Sequence, residues 1–348
     1  MGYYVYSVNG RKRLALPVGP KAVRLAALSC LQVTTLKRWV FFKIVRLSII
    51  LGCDRWLNRE MAEPIDPARG FDIDRWIEER RAELSMPALY AAIFWPPQPG
   101  RGRVHLCLFG HDAELRAFAK IAFDDADKEG VYAEQKALLE MAEQNTVQSS
   151  SPKLMSAGSF GACEYLVAEP IPRGIVPFPA NASAFPLEVV RELSGTQRSV
   201  APCDFPSLTW WEDFESYFDK HAPNFYKVLN DGMADGVVVC RIHGDLCAEN
   251  IGRCGDKLWI YDWERSRADG PVFYDEITFC FGCVRGRIYK NGSTVLRDLL
   301  AHFMADEIPE HRFGVMLSLG MMASERSAVP CEIVRLWDEH LGSSAPAG

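Results

Sequence analysis

The stretch from Val237 to Glu264 restricts the fold more than any other part of the chain. Val237–Ile242 (VVVCRI) is apolar and rich in β-branched residues, as buried strands are, and it runs straight into His243-Gly244-Asp245. Asn250 follows five residues after Asp245. A second apolar run, Leu258–Tyr261 (LWIY), delivers Asp262-Trp263-Glu264, and Cys254-Gly255-Asp256-Lys257 supplies a tight turn between Ile251 and that run. The spacing predicts a short hairpin, with Asn250 leading into one arm and Asp262 leaving the other. A first acid, a carboxamide and a second acid therefore gather at one end of it.

Phosphoryl transfer from a nucleotide needs that set of groups. One carboxylate orients the attacking hydroxyl and accepts its proton, and hard oxygen ligands hold magnesium. A neutral Asn beside an Asp suits a metal that keeps waters and also binds phosphate oxygens, because two or three carboxylates would repel the nucleotide. A metal-dependent hydrolase would more naturally show further His or Asp ligands, and none stands at matching spacing.

H-G-D-x4-N followed by an apolar strand ending in D-W-E resembles the aminoglycoside phosphotransferase and choline kinase family, small-molecule relatives of the protein kinases. Fixed residues, fixed spacing and strand context make the pattern far more specific than a lone Gly-rich motif. The resemblance implies an α+β, two-lobed, protein-kinase-like fold, with a small antiparallel-sheet N-lobe carrying one helix and a larger, mainly helical C-lobe. It implies ATP and magnesium (Mg2+) as cofactors, Asp245 as catalytic base, Asn250 and Asp262 as metal ligands, and His243 as support for the loop. Asp275, in Gly270-Pro-Val-Phe-Tyr-Asp275, is similar to the family's later Asp, which buttresses the catalytic loop from within. Two alternatives stand beside this reading. A catalytically silent nucleotide-binding module would be favoured by loss of Asp245, Asn250, Asp262 or Lys120, and all four are present. A protein kinase is disfavoured by Gly244, where Arg is usual, and by the lack of DFG and APE signals.

The N-terminal half is read for the remaining parts. Leu89–Trp95, Val104–Phe109 and Leu115–Phe123 are strand-like, and a Pro- and Gly-rich tip joins the first two. The family places a Lys on the third strand, against the nucleotide's phosphates, and a helix Glu that positions it. Lys120 lies among alternating apolar residues in that strand; an exposed Lys on an edge strand is the plainer reading. A helix capped by Asp127 and running to about Glu143 puts Val131, Leu138, Met141 and Ala142 on one face. On it Glu134 is the partner expected for Lys120, with Glu140 and Glu143 as competitors. Gln148–Pro152 is a loop. Tyr165–Ala168, closed by Glu169-Pro170-Ile171-Pro172, is similar to the family's interlobe hinge, where backbone groups around Glu169 and Ile171 would bind adenine. A plain strand with a Pro-rich turn is the other reading. No G-x-G-x-x-G precedes these parts; Gly100-Arg101-Gly102 is the nearest substitute, or merely a solvated tip.

Residues 1–85 fall outside the resemblance and form a basic, apolar N-terminal extension, followed by an N-lobe over 86–171 and a C-lobe over 172–348. The formal charge of -6 argues against a general nucleic-acid binder, yet residues 1–53 hold nine Lys and Arg and no acid, which leaves about -15 on the rest. Leu36–Leu51 could be helical, but its cations spread over most of the circumference, so no clean amphipathic stripe emerges. Lys43 and Arg46 interrupt the apolar run, so it is not a membrane span. Peripheral contact of residues 1–53 with an anionic membrane is one reading of this excess, and an extension packed over the small lobe is the other. The amino terminus lacks a signal-peptide pattern, so reduced thiols and a cytoplasmic location, extending to the inner membrane face, are expected for the eleven Cys. Cys280 and Cys283 form a lone CxxC pair, read as core residues rather than a metal site. The acceptor is expected to be a small-molecule hydroxyl on a sugar, polyol or amino alcohol, in a glycan-related context. Pro186–Leu193, Trp210–Asn230 and residues 281–348 are where it would be chosen; Trp210, Trp211 and Tyr217 either line that pocket or belong to the core.

Overall fold

The computed structural model describes residues 2–8, 10–30, 36–54, 60–61, 64–65, 70–86, 88–96, 102–144, 146–181, 184–304, 309–325 and 328–344. Two units result: Met1–Ala142 with Pro152–Pro172, and Glu143–Ser151 with Arg173–Gly348. The tip at 97–101, including Gly100 and Arg101, lies outside the described residues.

The first unit is built on one antiparallel sheet. Its strands in chain order are β1 (Tyr3–Val8), β2 (Arg11–Pro17), β3 (Glu60–Met61), β4 (Tyr90–Phe94), β5 (Arg103–Phe109), β6 (Leu115–Ala122), β7 (Leu154–Phe160) and β8 (Cys163–Ala168). They pair in the order β3-β1-β2-β4-β5-β6-β8-β7. Alternation along the strands divides the side chains between two cores. Ile93, Leu106, Ala119 and Val167 pack with Ile73, Trp76 and Ile77 of α3 (Ile73–Glu83), a helix begun by the Asp72 side chain accepting the Arg75 N–H at 3.0 Å. On the other face Leu14, Leu16, Phe94 and Phe109 pack with Val23 and Ala27 of α1 (Lys21–Ser29) and Val45 and Ile49 of α2 (Leu36–Leu51).

Two expectations change here. Residues 3–17, placed in an extension outside the small lobe, supply two strands of its sheet, with Leu14 and Ala15 paired to Phe94 and Ile93. They escape a period-2 reading because Tyr3, Tyr4 and Tyr6 are all buried, so no polar face marks the strand. The helix α4 (Asp125–Glu143) starts two residues before Asp127, with the Asp127 and Lys128 N–H groups both bonded to the Asp124 carbonyl. Several acids in a row offered competing start points, and the upstream one is used.

The second unit is mainly helical. It contains α5 (Leu187–Ser194), α6 (Trp211–His221), α7 (Pro223–Gly232), α8 (Tyr274–Met304), α9 (Pro309–Ser324) and α10 (Ala328–Ser344). Between them run β9 (Arg198–Val200), β10 (Val237–Ile242) and β13 (Arg267–Pro271), which form a three-stranded antiparallel sheet centred on β10. The hairpin β11 (Ile251–Cys254) and β12 (Lys257–Ile260) turns at Gly255-Asp256, with Gly255 at φ +61°, as a two-residue turn requires. Ser149–Ser150, read as loop, adds a parallel strand to β12 through Leu258 and Trp259. One aromatic core carries the helices. Trp210, Phe214, Phe218 and Phe225 are buried there, Trp211 nearly so, and Tyr217 packs against them, so these aromatics belong to the core. The chain is thus α+β in make-up, an antiparallel sheet with helices in one unit and a mainly helical second unit.

Candidate active site

In the first unit β6 sets Lys120 opposite His105 on one side and Leu166 on the other. The side chain leaves the sheet on the face of Phe118, away from Ala119 and Ile121. It is 4% exposed, and its Nζ lies 2.5 Å from Glu134 Oε2, itself 6% exposed. Helix α4 turns Glu134 inward together with Val131, Ala137, Leu138 and Met141, at three- and four-residue spacing. Glu140 is half-buried and Glu143 exposed, so of the three candidates Glu134 is the one that meets Lys120; Ala142, expected on the inner face, is exposed. Asp127, two turns earlier, is buried and accepts the Gly102 N–H at 2.7 Å, with Arg103 Nε 3.8 Å away. Sequence reading missed this link, which ties the start of β5 to the helix that bears Glu134.

At the end of β8 the Glu169 N–H donates to the Lys153 carbonyl at 2.9 Å, and the Glu169 carboxylate accepts the Lys153 N–H at 3.3 Å. The strand ladder therefore continues through Glu169. Its N–H is committed, and an adenine contact there would fall to its carbonyl and to the peptide of Ile171, a residue 38% exposed.

In the second unit β10 ends at Ile242, and the chain turns through His243-Gly244-Asp245. Buried Asp275, in the first turn of α8, accepts the N–H groups of His243 at 2.7 Å and Gly244 at 2.9 Å. Burial pushes the Asp275 carboxyl up to about 6, the two N–H donors oppose the rise, and the neighbouring Asp245 charge adds to it. Gly244 has φ +84°, and a Cβ there would come within 2.1 Å of the Arg265 carbonyl oxygen. No larger residue fits this turn without moving the Arg265 backbone.

His243 is buried with its ring 4.6 Å from that of Trp263. Its Nε2 is 3.1 Å from the Tyr261 carbonyl, and its Nδ1 is 3.3 Å from the Asp245 N–H. A carbonyl only accepts and a peptide N–H only donates, so the Nε2–H tautomer satisfies both. Asp245 is held at each end of its own peptide: its N–H by His243, and its carbonyl by the Asn250 Nδ2–H at 2.9 Å. That bond orients the Asn250 amide and leaves Oδ1 as its acceptor. The Asn250 carbonyl takes the Tyr261 N–H at 3.2 Å, which closes the open end of the hairpin just before Asp262. Asp262 is one of three non-glycine residues at positive φ among the described residues, at +70°. Asp tolerates this region better than most, and strained backbone of this kind gathers at functional sites.

Tyr261 and Ser266 also fasten this loop and drew no notice in the sequence. The Tyr261 hydroxyl donates to the Glu249 carbonyl at 2.5 Å, and the Ser266 hydroxyl to the Ile242 carbonyl at 2.9 Å. The one hint was the position of Tyr261 beside Asp262; Ser266 carried none. All eleven Cys are free thiols.

No protein-family model and no curated protein matches the chain. Among solved structures it is similar to the GDP complex of aminoglycoside 2'-phosphotransferase-IIIa, at 13% identity over 78% of this chain and 99% of that one, with a TM-score of 0.42. A putative fructosamine-3-kinase from Thermobifida fusca YX-ER1 is similar at 15% identity over 71% and 98%, with a TM-score of 0.39. Aminoglycoside-3'-phosphotransferase of type VIII is similar at 17% identity over 77% and 98%, with a TM-score of 0.38.

Proposed function

We propose that this chain transfers the γ-phosphoryl group of ATP to a hydroxyl of a small molecule, a sugar, polyol or amino alcohol. The observation that carries the reading is the clamped loop, in which Asp275 holds the amides of His243 and Gly244 while His243 and Asn250 hold the N–H and the carbonyl of Asp245. A base must be held in place to orient a hydroxyl, and positioning supplies much of the rate in phosphoryl transfer. Asp245 accepts the proton of the attacking hydroxyl at its carboxylate. His243 acts through Asp245 by accepting its N–H, and Asp275 acts one step further back by holding the His243 and Gly244 amides. Asn250 Oδ1 and the Asp262 carboxylate are hard oxygen donors of the kind magnesium takes, and they would hold it. When bound, magnesium would neutralise phosphate oxygens. Lys120, paired with Glu134, is assigned to the nucleotide phosphates, and Glu169 and Ile171 to the adenine.

The test is ATP consumption by the full-length protein against pooled sugars, amino alcohols and aminoglycosides, with and without Asp245→Asn. Loss of the base should lower the rate about 10²–10⁴-fold. Equal rates would overturn the assignment. Stabilisation by ATP and magnesium without turnover of any pool would favour a silent binding module instead.

A further inference from the structure

Helix α2 is apolar on two opposite sides. Val45 and Ile49, 3% and 0% exposed, face the sheet, with Phe41 and Phe42 half-buried beside them. On the far side Val40, Ile44, Leu47 and Leu51 recur at i, i+4, i+7 and i+11, one continuous stripe, and are 43%, 59%, 55% and 69% exposed. Trp39 and Ile50, 51% and 47% exposed, alternate with exposed Lys43 and Arg46 in the adjoining stripe, where Lys43 Nζ stands 5.1 Å over the Trp39 ring. A single exposed Leu means little. Here one helix holds six of the fifteen large apolar side chains exposed among the described residues, which marks a contact surface. Exposed Lys43 and Arg46 lie between these two apolar faces, which have different neighbours.

Charge selects what meets this face. Residues 1–53 carry nine Lys and Arg and no acid. The first acid, Asp54, is 2% exposed and ion-paired with Arg24 at 3.2 Å, so it does not offset the cations toward solvent. Exposed Lys21 donates to the Ile50 carbonyl at 2.7 Å and adds a cation at the carboxyl-terminal end of the helix. A second copy of the chain would bring like charges together on this face. An apolar stripe edged by cations and Trp is the arrangement that lies in the headgroup region of an anionic bilayer. Among the described residues no helix is long and apolar enough to cross a membrane, so the contact is along the helix.

We propose that α2 docks this protein on an anionic lipid surface, with Val40, Ile44, Leu47 and Leu51 in the acyl boundary and Lys43 and Arg46 at the lipid phosphates. The inference is independent of the phosphotransfer reading. Full-length protein is sedimented with vesicles of phosphatidylcholine alone or mixed with phosphatidylserine. Wild type should follow the mixed vesicles and not the neutral ones. Ile44→Gln with Leu47→Gln should weaken partition about a hundred-fold through lost apolar burial. Lys43→Gln with Arg46→Gln should weaken it about thirty-fold, the share of two cations near an anionic surface. Because all four side chains are exposed, both double variants should keep the wild-type Tm. No sedimentation of wild type, or equal binding to both vesicles, would overturn the proposal. So would a dimer in solution that the Ile44→Gln, Leu47→Gln variant converts to monomer, since a second copy would then cover the face.

Discussion

Lys120 and Asp275 are both charged side chains taken out of water, one in each unit, and their surroundings answer that cost differently. Lys120 is met by an opposite full charge on Glu134 at 2.5 Å. Asp275 is met by two neutral backbone donors, which oppose but do not cancel the rise in proton affinity that burial causes and the Asp245 charge adds to. A buried ion pair tolerates burial while both members stay ionised, and removing one strands the other. A buried carboxylate on peptide N–H groups holds backbone in place and remains open to neutralisation by a proton. The first device sets one buried charge against another. The second keeps a turn in shape.

The largest expected effect tests the first device. Lys120→Met leaves Glu134 buried without its cation and should destabilise the protein by about 3–5 kcal/mol, read as a lower Tm. Lys120→Met combined with Glu134→Leu should recover most of that loss. If the double variant is no better than the single one, the two residues do not form a compensated pair.

Next comes the turn that Asp275 holds. Gly244→Ala adds a Cβ 2.1 Å from the Arg265 carbonyl oxygen at φ +84°. The conformation costs about 1–2 kcal/mol and the overlap about 1–3 kcal/mol more. Chemical denaturation that finds Gly244→Ala as stable as wild type would mean the turn yields easily, and the contrast between rigid and compensated sites would fail.

The smallest effect is a pH profile. The Asp275 carboxyl is raised from 3.8 to about 6, so the native state binds this proton more tightly than the unfolded chain does. Its contribution is complete below the unfolded value and is lost as pH rises through the folded one, a fall of about 3 kcal/mol. Asp275→Asn removes that slope, at a cost of about 1–3 kcal/mol for the weaker acceptor it offers the two N–H groups. A Tm profile between about pH 4 and 7 as steep as that of wild type would assign the slope to another group.

The hairpin around Asn250 and Asp262 was readable because its signals are local: two apolar runs, a Gly-Asp turn, and polar residues at the run ends. Helix α2 was likewise read at its observed bounds. Asp275 entered through resemblance alone, since nothing in its neighbours announces a carboxylate that reaches back 32 residues to His243. The choice of Glu134 over Glu140 and Glu143 depended on the register of α4 against β6, which periodicity leaves open by a turn. Trp210 and Trp211 could equally have lined a pocket; the aromatic cluster around Phe214 and Phe218 takes them into the core.

Spacing and alternation along the chain were enough for the elements near the motif, the α+β make-up and the set of polar residues at the hairpin's open end, because backbone geometry repeats over a few residues. Contacts between distant segments were needed for the rest. They draw β1 and β2 into the sheet, give Lys120 its partner, require glycine at 244 through the Arg265 backbone, and turn one apolar side of α2 inward while the other faces solvent. Burial and close approach are properties of pairs of residues, and a linear pattern records only one member of each pair.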